Sequence, residues 1–367
     1  MGAHSDHQYG KVTGLAIDKG VTIAYKPTDN GIVELTSLNF EGRMQFHTQR
    51  IPPKQNDWAD YLRGAADALS KIADSQKAEL PNGIHAVIEG SLPIGGLSSS
   101  AAVIIAFISA LCKVNGFHLS EEELIQTALA AENNYVGVNV GTLDQSCEVF
   151  SRKDNLLYLD TSDNSYELIP TSSLMKPYEI AIFFSGVERS LAGSKFNMRV
   201  DEVKAAAYAL MAYSGMDYGK FDQVHMRDVP YTVFEQYKDR IPETWRRRAE
   251  HFYTEFDRVD RGANAWRRGD IEEFGKLSFE SGRSSIYNWE TGSDELKTLY
   301  EIMMTTEGIY GGRFSGAGFK GCCMALIDPA FEESITKSVT KEYLKVFPQL
   351  SEKFSVHFCH SADGVKL

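Results

Sequence analysis

The sequence predicts an α/β (α+β) protein of two domains, and three observations carry that reading. Its 367 residues are enough for two hydrophobic cores. Between His85 and Val114, an alternating β-branched stretch, a glycine-rich turn and an apolar helical stretch follow one another. The second half then carries more amphipathic helix than the first. A boundary is expected around 172–177, dividing the chain into 1–175 and 176–367.

The elements justify themselves in order. The opening run, Gly2-Ala-His-Ser-Asp-His-Gln-Tyr-Gly10, is polar and turn-like. Residues 13–25 read as a strand and 31–46 as a hairpin. Across 56–73, Trp58, Tyr61, Leu62, Ala65, Leu69 and Ile72 share one helical face, with Asn56 or Asp57 as cap. His85-Ala-Val-Ile-Glu89 alternates like a strand, and 101–114, free of Gly and Pro, is a helix. Ser120-Glu-Glu-Glu123 is a capping box for a helix running to about Tyr135. A turn at 137–141 leads to a helix that starts at Thr142. Strands are expected at 156–159, 167–170 and 179–184, and helices at 194–212, 242–268, 271–281 and 293–306. A second glycine-rich stretch, 310–321, feeds a strand at 322–327; a helix at 329–346 and a strand at 355–359 close the chain.

Composition excludes several functions. A net charge of -12 argues against a nucleic-acid partner. The longest apolar run, 101–111, is too short to cross a bilayer, and no basic-then-apolar leader is seen at the start. Five cysteines without metal-ligand spacing, two of them adjacent at Cys322 and Cys323, are expected as buried thiols in a reducing cytoplasm. Oligomeric state is left open.

Three polar features stand against the apolar framework. In Ser91-Leu-Pro-Ile-Gly-Gly-Leu-Ser-Ser-Ser-Ala-Ala-Val103, Gly95 and Gly96 let the backbone come close to a ligand. Ser98, Ser99 and Ser100 add hydroxyls at a helix N-terminus, where unpaired N–H groups and the dipole favour an anion. Glu132 and Asp144 flank a glycine-containing turn and are able to face one site. Gly316-Ala-Gly-Phe-Lys-Gly321 is a further flexible loop. Together they fit phosphoryl transfer, which needs backbone donors for phosphates, a carboxylate and a hydroxyl for Mg²⁺, and an acid at the attacking oxygen. Plainer readings stand beside these: a solvated Glu132, Asp144 as a helix cap, and Gly316 and Gly318 as a tight turn.

Leu92-Pro-Ile-Gly-Gly-Leu-Ser-Ser-Ser-Ala-Ala102 resembles the central ATP-binding motif of the GHMP small-molecule kinases in its galactokinase form. Gly2-Ala-His-Ser-Asp-His-Gln-Tyr-Gly10 is similar to the tail of the galactokinase signature, and Phe314-Ser-Gly-Ala-Gly-Phe-Lys-Gly-Cys322 to the third motif. Ala131-Glu-Asn-Asn-Tyr-Val-Gly137 and Gly141-Thr-Leu-Asp-Gln145 match between them at the family's spacing. The resemblance spans nearly the whole chain. It implies the two-domain GHMP kinase fold, an active site in the interdomain cleft, and ATP with Mg²⁺. Gly95, Gly96, Leu97, Ser98, Ser99 and Ser100 would cradle the phosphates, with Ser100 and Glu132 on Mg²⁺. Asp144 would be the catalytic group at the anomeric hydroxyl. Ala3, His4, Asp6 and Phe196 would line the sugar, Trp58 would stand near adenine unless it is a core aromatic, and Gly316, Ala317 and Gly318 would close over the substrates.

The departures point to a substrate. Galactokinases carry Glu where this chain has Ala3, and Tyr where Phe196 stands. A carboxylate at position 3 would repel a sugar whose C6 is itself a carboxylate. The Gly-Ala-His-x-Asp-His-Gln run, Ser281-Gly-Arg-Ser-Ser-Ile286 and Gly311-Gly-Arg-Phe-Ser-Gly-Ala-Gly-Phe319 resemble the plant-type galacturonokinases. D-Galacturonate is therefore the expected sugar, with galactose, or a catalytically weak sugar sensor, as alternatives. His7, Gln8 and Arg283 are candidates for the C6 carboxylate. The family's first motif places an Arg shortly before the position of Gly2. Either the reading frame extends upstream or that cation is missing. The turn at Ile94-Gly-Gly96 is one residue shorter than in typical galactokinases.

Overall fold

The alternation at 85–89 becomes the middle of a four-stranded sheet. The computed structural model of the chain describes residues 1–92, 97–187 and 195–365. In order, a 3-10 turn (Asp6–Gln8) precedes β1 (Lys11–Gly14), β2 (Ala16–Ile17), β3 (Val21–Thr28), β4 (Ile32–Ser37), β5 (Arg43–His47), α1 (Asp60–Ser75), β6 (Gly83–Gly90), α2 (Ser99–Asn115) and α3 (Glu121–Ala130). A π-helical turn (Ala131–Val136) then leads to α4 (Leu143–Phe150), β7 (Asn155–Asp160), β8 (Ser165–Pro170) and β9 (Glu179–Phe184). Helices α5 (Phe196–Ser214), α6 (Tyr231–Tyr237), α7 (Glu243–Arg267), α8 (Ile271–Tyr287) and α9 (Asp294–Thr305) follow. The chain closes with β10 (Ile309–Phe314), β11 (Cys322–Ile327), α10 (Glu332–Val346) and β12 (Ser355–Cys359), followed by a two-residue strand, Ser361–Ala362.

Packing groups these into two units. One comprises Met1–Ala16, Gly95–Leu97 and Ser151–Ala362; the other comprises Ile17–Ile94, Ser98–Phe150 and Asp363–Leu367. This differs from the single division at 175/176. The reason is strand pairing: β1 lies antiparallel to β7, with Lys11 opposite Asp160, so the first residues join the later part of the chain.

In the unit built from 17–150, the sheet order is β3-β6-β4-β5. β4 and β5 form the expected hairpin, and β6 runs parallel to β4 and antiparallel to β3. Ile104, Ile105, Phe107, Ile108 and Leu111 of α2 are all buried, as an all-round apolar helix requires. In the other unit, β10-β11-β9-β12 is antiparallel throughout. Leu296, Leu299 and Met303 of α9 and Ile335, Val339 and Tyr343 of α10 cluster with Phe183, Cys323 and Ala325. Val203 and Leu210 of α5 pack with Phe252 of α7 and with Trp289 in a second core. All five cysteines are free thiols, and Cys322 and Cys323 are buried.

Several boundaries differ from the sequence expectation. The strand expected at 13–25 is broken between β1, β2 and β3 by a bend around 18–20. α1 starts at Asp60 rather than at Asn56, and neither Asn56 nor Asp57 caps it by a side-chain bond. Instead the buried Asp60 carboxylate accepts the N–H groups of Gln55 and Asn56 and pairs with Arg63, which winds the preceding loop around it. α8 runs on to Tyr287, and the helix expected at 329–346 begins as a 3-10 turn before α10. The glycine-rich stretch from 310 is strand as far as Phe314. Gly311 lies under α8, where a Cβ would stand 1.9 Å from the Gly275 carbonyl oxygen. Those glycines admit a neighbouring backbone, and the loop proper starts at Ser315.

Candidate functional site

The π-turn is the first local departure that matters. The helix begun by α3, with its Ser120/Glu123 capping box intact, widens at Ala131, and Gly137 N–H reaches back to the Glu132 carbonyl. Such turns concentrate at functional sites. Asn133 then clasps Val140 twice: its Nδ2 donates to the Val140 carbonyl (3.1 Å) and its Oδ1 accepts the Val140 N–H (3.0 Å). That clasp folds the 137–141 turn back and starts α4 beside Glu132.

Four expected residues meet there. The Ser100 hydroxyl hydrogen-bonds the Glu132 carboxylate, and the Ser98 hydroxyl that of Asp144. Ser98 sits in the left-handed region (φ 54°) immediately before α2, a strained geometry for a non-glycine residue that turns its hydroxyl toward α4. Gln145 Nε2 donates to Glu132 Oε2 at 2.6 Å. Burial drives the Glu132 pKa up to about 7, and Asp144 pushes it the same way against the hydrogen bonds from Ser100 and Gln145. Burial raises Asp144 as well, against the Ser98 hydrogen bond. Glu148, one turn further along α4, is raised well above the usual carboxylate range by burial and by Asp144 and Glu132. Among the described residues no basic side chain forms an ion pair with any of the three acids. Buried carboxylate and hydroxyl oxygens with no cation of their own are a donor set that fits Mg²⁺. Ser99 opens α2 half-buried, and Leu97 is half-buried before it. Gly95 and Gly96 lie outside the described residues.

Trp58 is half-buried and stacks parallel on Phe40 at 5.9 Å. The ring is thus a partly open platform as well as part of the packing before α1.

The expected sugar residues gather in the other unit. Gly2 has φ 83°, and a Cβ there would strike the Lys11 carbonyl at 2.3 Å. Gly2 N–H donates to Glu255 Oε2 (2.8 Å), which also accepts from Ser281 Oγ (2.9 Å) while Glu255 pairs with Arg258. Ala3 is buried, and its carbonyl accepts from His251 Nε2 (2.8 Å). That bond makes Nε2 the protonated nitrogen and leaves Nδ1 to accept from Ser284 Oγ (2.8 Å). His4, at φ 57°, stacks on Trp289 with ring centroids 5.1 Å apart. Phe196, the first residue of α5, lies 6.1 Å from His4 and edge-on to His7 at 6.0 Å. The Asp6 carbonyl accepts from Tyr9 N–H and Thr161 Oγ. Burial keeps all three imidazoles neutral: His4 is lowered well below its usual value, His7 to about 3 and His251 to about 4.

Gly316 and Gly318 both have positive φ, and the Gly318 carbonyl accepts the Gly292 N–H at 2.7 Å. A Cβ on Gly318 would press on Phe314 and Thr291, whereas Gly316 is exposed and Ala317 half-buried at the loop tip. Arg283 is exposed on α8, beside the Tyr287 ring. His251, Trp289 and Glu148 were not found from sequence. A lone His or Trp on an amphipathic stretch carries no pattern, and Glu148 emerges only once α4 places it one turn after Asp144.

The GHMP kinases N-terminal domain matches residues 60–152 and the GHMP kinases C-terminal region matches 263–345. A galacturonokinase of Arabidopsis thaliana is 36% identical over 391 aligned residues, covering 100% of this chain and 91% of that protein. A galactokinase of Thermococcus kodakarensis is 32% identical, covering 97% of this chain and 94% of its own. The crystal structure of Lactococcus lactis galactokinase complexed with galactose superposes with a TM-score of 0.88 at 28% identity, covering 100% and 92%. A Methanococcus jannaschii mevalonate kinase shares the fold at a TM-score of 0.65 and 18% identity, covering 98% and 95%. The chain belongs to the GHMP kinase family and is an enzyme of the kinase type. Within that family it stands with the galactokinases and galacturonokinase. No helix among the described residues is long and apolar enough to cross a membrane.

Proposed function

We propose that the chain is a sugar 1-kinase that transfers the γ-phosphoryl group of ATP to the anomeric hydroxyl of D-galacturonate. The observation that carries this is the pairing of Ser100 with Glu132 and of Ser98 with Asp144 at the start of one helix. Asp144 takes the proton from the anomeric oxygen as that oxygen bonds to phosphorus. The bond from the γ-phosphorus to the bridging oxygen breaks, and ADP leaves with the electron pair. The start of α2, with Ser99, binds phosphate oxygens through backbone N–H groups. Ser100 and Glu132 would hold Mg²⁺, which when bound supplies positive charge at the phosphates. Gln145 holds the Glu132 carboxylate in one orientation. Trp58 takes the adenine.

Three features support the acidic sugar. Ala3 replaces a carboxylate, Phe196 replaces a phenol, and a galacturonokinase is among the full-length relatives. His4 and Asp6 bind ring hydroxyls from the turn that His251 and Glu255 fix. The test is coupled ADP release from the purified chain with ATP and Mg²⁺. The expected result is a kcat/KM at least tenfold higher for D-galacturonate than for D-galactose. The opposite preference would reassign the substrate to galactose. Calorimetric binding of sugar and ATP without turnover of either sugar would make the chain a sensor.

A further inference from the structure

Gln8 fixes where His7 carries its proton. Gln8 Oε1 accepts the Met226 N–H at 3.0 Å, so the opposite side of the amide is its NH₂. That NH₂ lies 2.9 Å from the His7 carbonyl and 3.1 Å from His7 Nδ1. An amide nitrogen only donates, so Nδ1 accepts and the proton of the neutral ring sits on Nε2. Burial, with Lys204 adding to it, keeps the ring neutral.

His7 Nε2 is buried and has no hydrogen-bond partner among the described residues. Trp289 Nε1 is in the same condition, with the two ring centroids 5.6 Å apart. His4 stacks on Trp289, and Phe196 stands edge-on to His7. Among the side chains of this cluster there are therefore two unpaired buried donors and, among the described residues, no unpaired buried side-chain acceptor. Unpaired buried donors are costly, and a ligand acceptor relieves that cost. A hydroxyl brings a hydrogen that needs an acceptor of its own, whereas a carboxylate only accepts. On the same turn, Ala3 offers no side-chain acceptor.

We infer that His7 Nε2–H and Trp289 Nε1–H form the subsite that reads the C6 carboxylate of the sugar acid, with His7 as the specificity-determining side chain. This rests on the sugar lying against the His4 turn, as proposed above.

The experiment separates the two readings. ADP release with D-galacturonate is measured first on the parent chain; no turnover defeats the galacturonate reading itself. Given turnover, D-fucose, which is galactose without its C6 oxygen, is tested as a competitive inhibitor. Its inhibition constant should exceed the galacturonate KM at least tenfold, and equal values overturn the subsite without any variant. His7→Phe keeps the ring contacts and removes the donor. It should raise the galacturonate KM tenfold or more, while the KM for ATP and the D-fucose constant stay within twofold. An equal rise for both sugars marks a merely structural residue and overturns the inference, as does an unchanged galacturonate KM. His7→Gln, which keeps an N–H donor, should recover most of the loss; no recovery counts against the donor role.

Discussion

Gln145 Nε2 donates to Glu132 Oε2 across 2.6 Å, and both side chains are buried. Gln145 follows Asp144 directly, so one helix start fixes the orientation of both acids. Gln145→Leu removes the donor while keeping the volume. Partners of this kind tune a metal ligand by about 10- to 100-fold in affinity. The Mg²⁺ concentration for half-maximal rate should therefore rise by about tenfold or more, with the sugar KM nearly unchanged. A Mg²⁺ titration at saturating ATP checks it.

Asp144→Asn preserves the shape and the Ser98 contact but cannot accept the proton. A general base contributes roughly 10²- to 10⁴-fold. The expected result is a fall in kcat of at least 10²-fold, with ATP binding by calorimetry within about threefold of the parent. Full activity would remove Asp144 from the reaction.

Ala3→Glu returns a carboxylate to the turn held by His251. Like-charge repulsion should raise the galacturonate KM about tenfold or more and move the galactose-to-galacturonate ratio of kcat/KM toward galactose. The ratio is the readout, because the burial of Ala3 also makes the variant less stable.

Three buried neutral imidazoles give stability a pH dependence of known sign. His251 titrates at about 4 and His7 at about 3 in the folded chain, against 6.5 when unfolded, and His4 is lowered too. Below 6.5 the unfolded chain binds protons that the folded chain refuses, so stability is lost as pH falls from 6.5 through about 4. The contribution of His251 alone over that window is on the order of 3 kcal/mol. His251→Gln keeps a donor for the Ala3 carbonyl and should flatten the fall of Tm between pH 6.5 and 4, measured by calorimetry.

Gly311→Ala tests the contact between α8 and β10. The new Cβ would meet Gly275 backbone atoms at 1.9 to 2.3 Å, and backbone has no rotamer to yield. The loss should reach about 3 kcal/mol, the upper range for overpacking, read from urea midpoints. An unchanged midpoint would mean that the helix shifts freely on the strand.

Most of the fold was legible in local pattern. The period-2 alternation at 85–89, the apolar run after Ser100 and the Ser120/Glu123 box each gave an element of the expected kind. What failed depended on partners distant in sequence. Gly311 read as loop because the reason for it, Gly275 of α8, lies 36 residues earlier. The α1 start moved because Asp60 and Arg63 pair in burial, which no single-residue cap preference encodes. At the site, the Ser98–Asp144 and Ser100–Glu132 pairs follow motifs visible in the chain. His251 acts through the carbonyl of Ala3, a main-chain atom whose use leaves no mark on composition.

The wide turn at Ala131–Val136 sets a rule for length variation. A helix with one residue to spare can lose that residue and remain a helix. Deleting a single codon after Glu132 would let the coil tighten to ordinary pitch, and because the wide turn holds the extra residue within itself the segments beyond would keep nearly the same orientation. What would change is the turn itself, from which Asn133 reaches Val140 and Glu132 meets Gln145. The shortest possible indel here should therefore spare the helices on either side and be felt at the two acids.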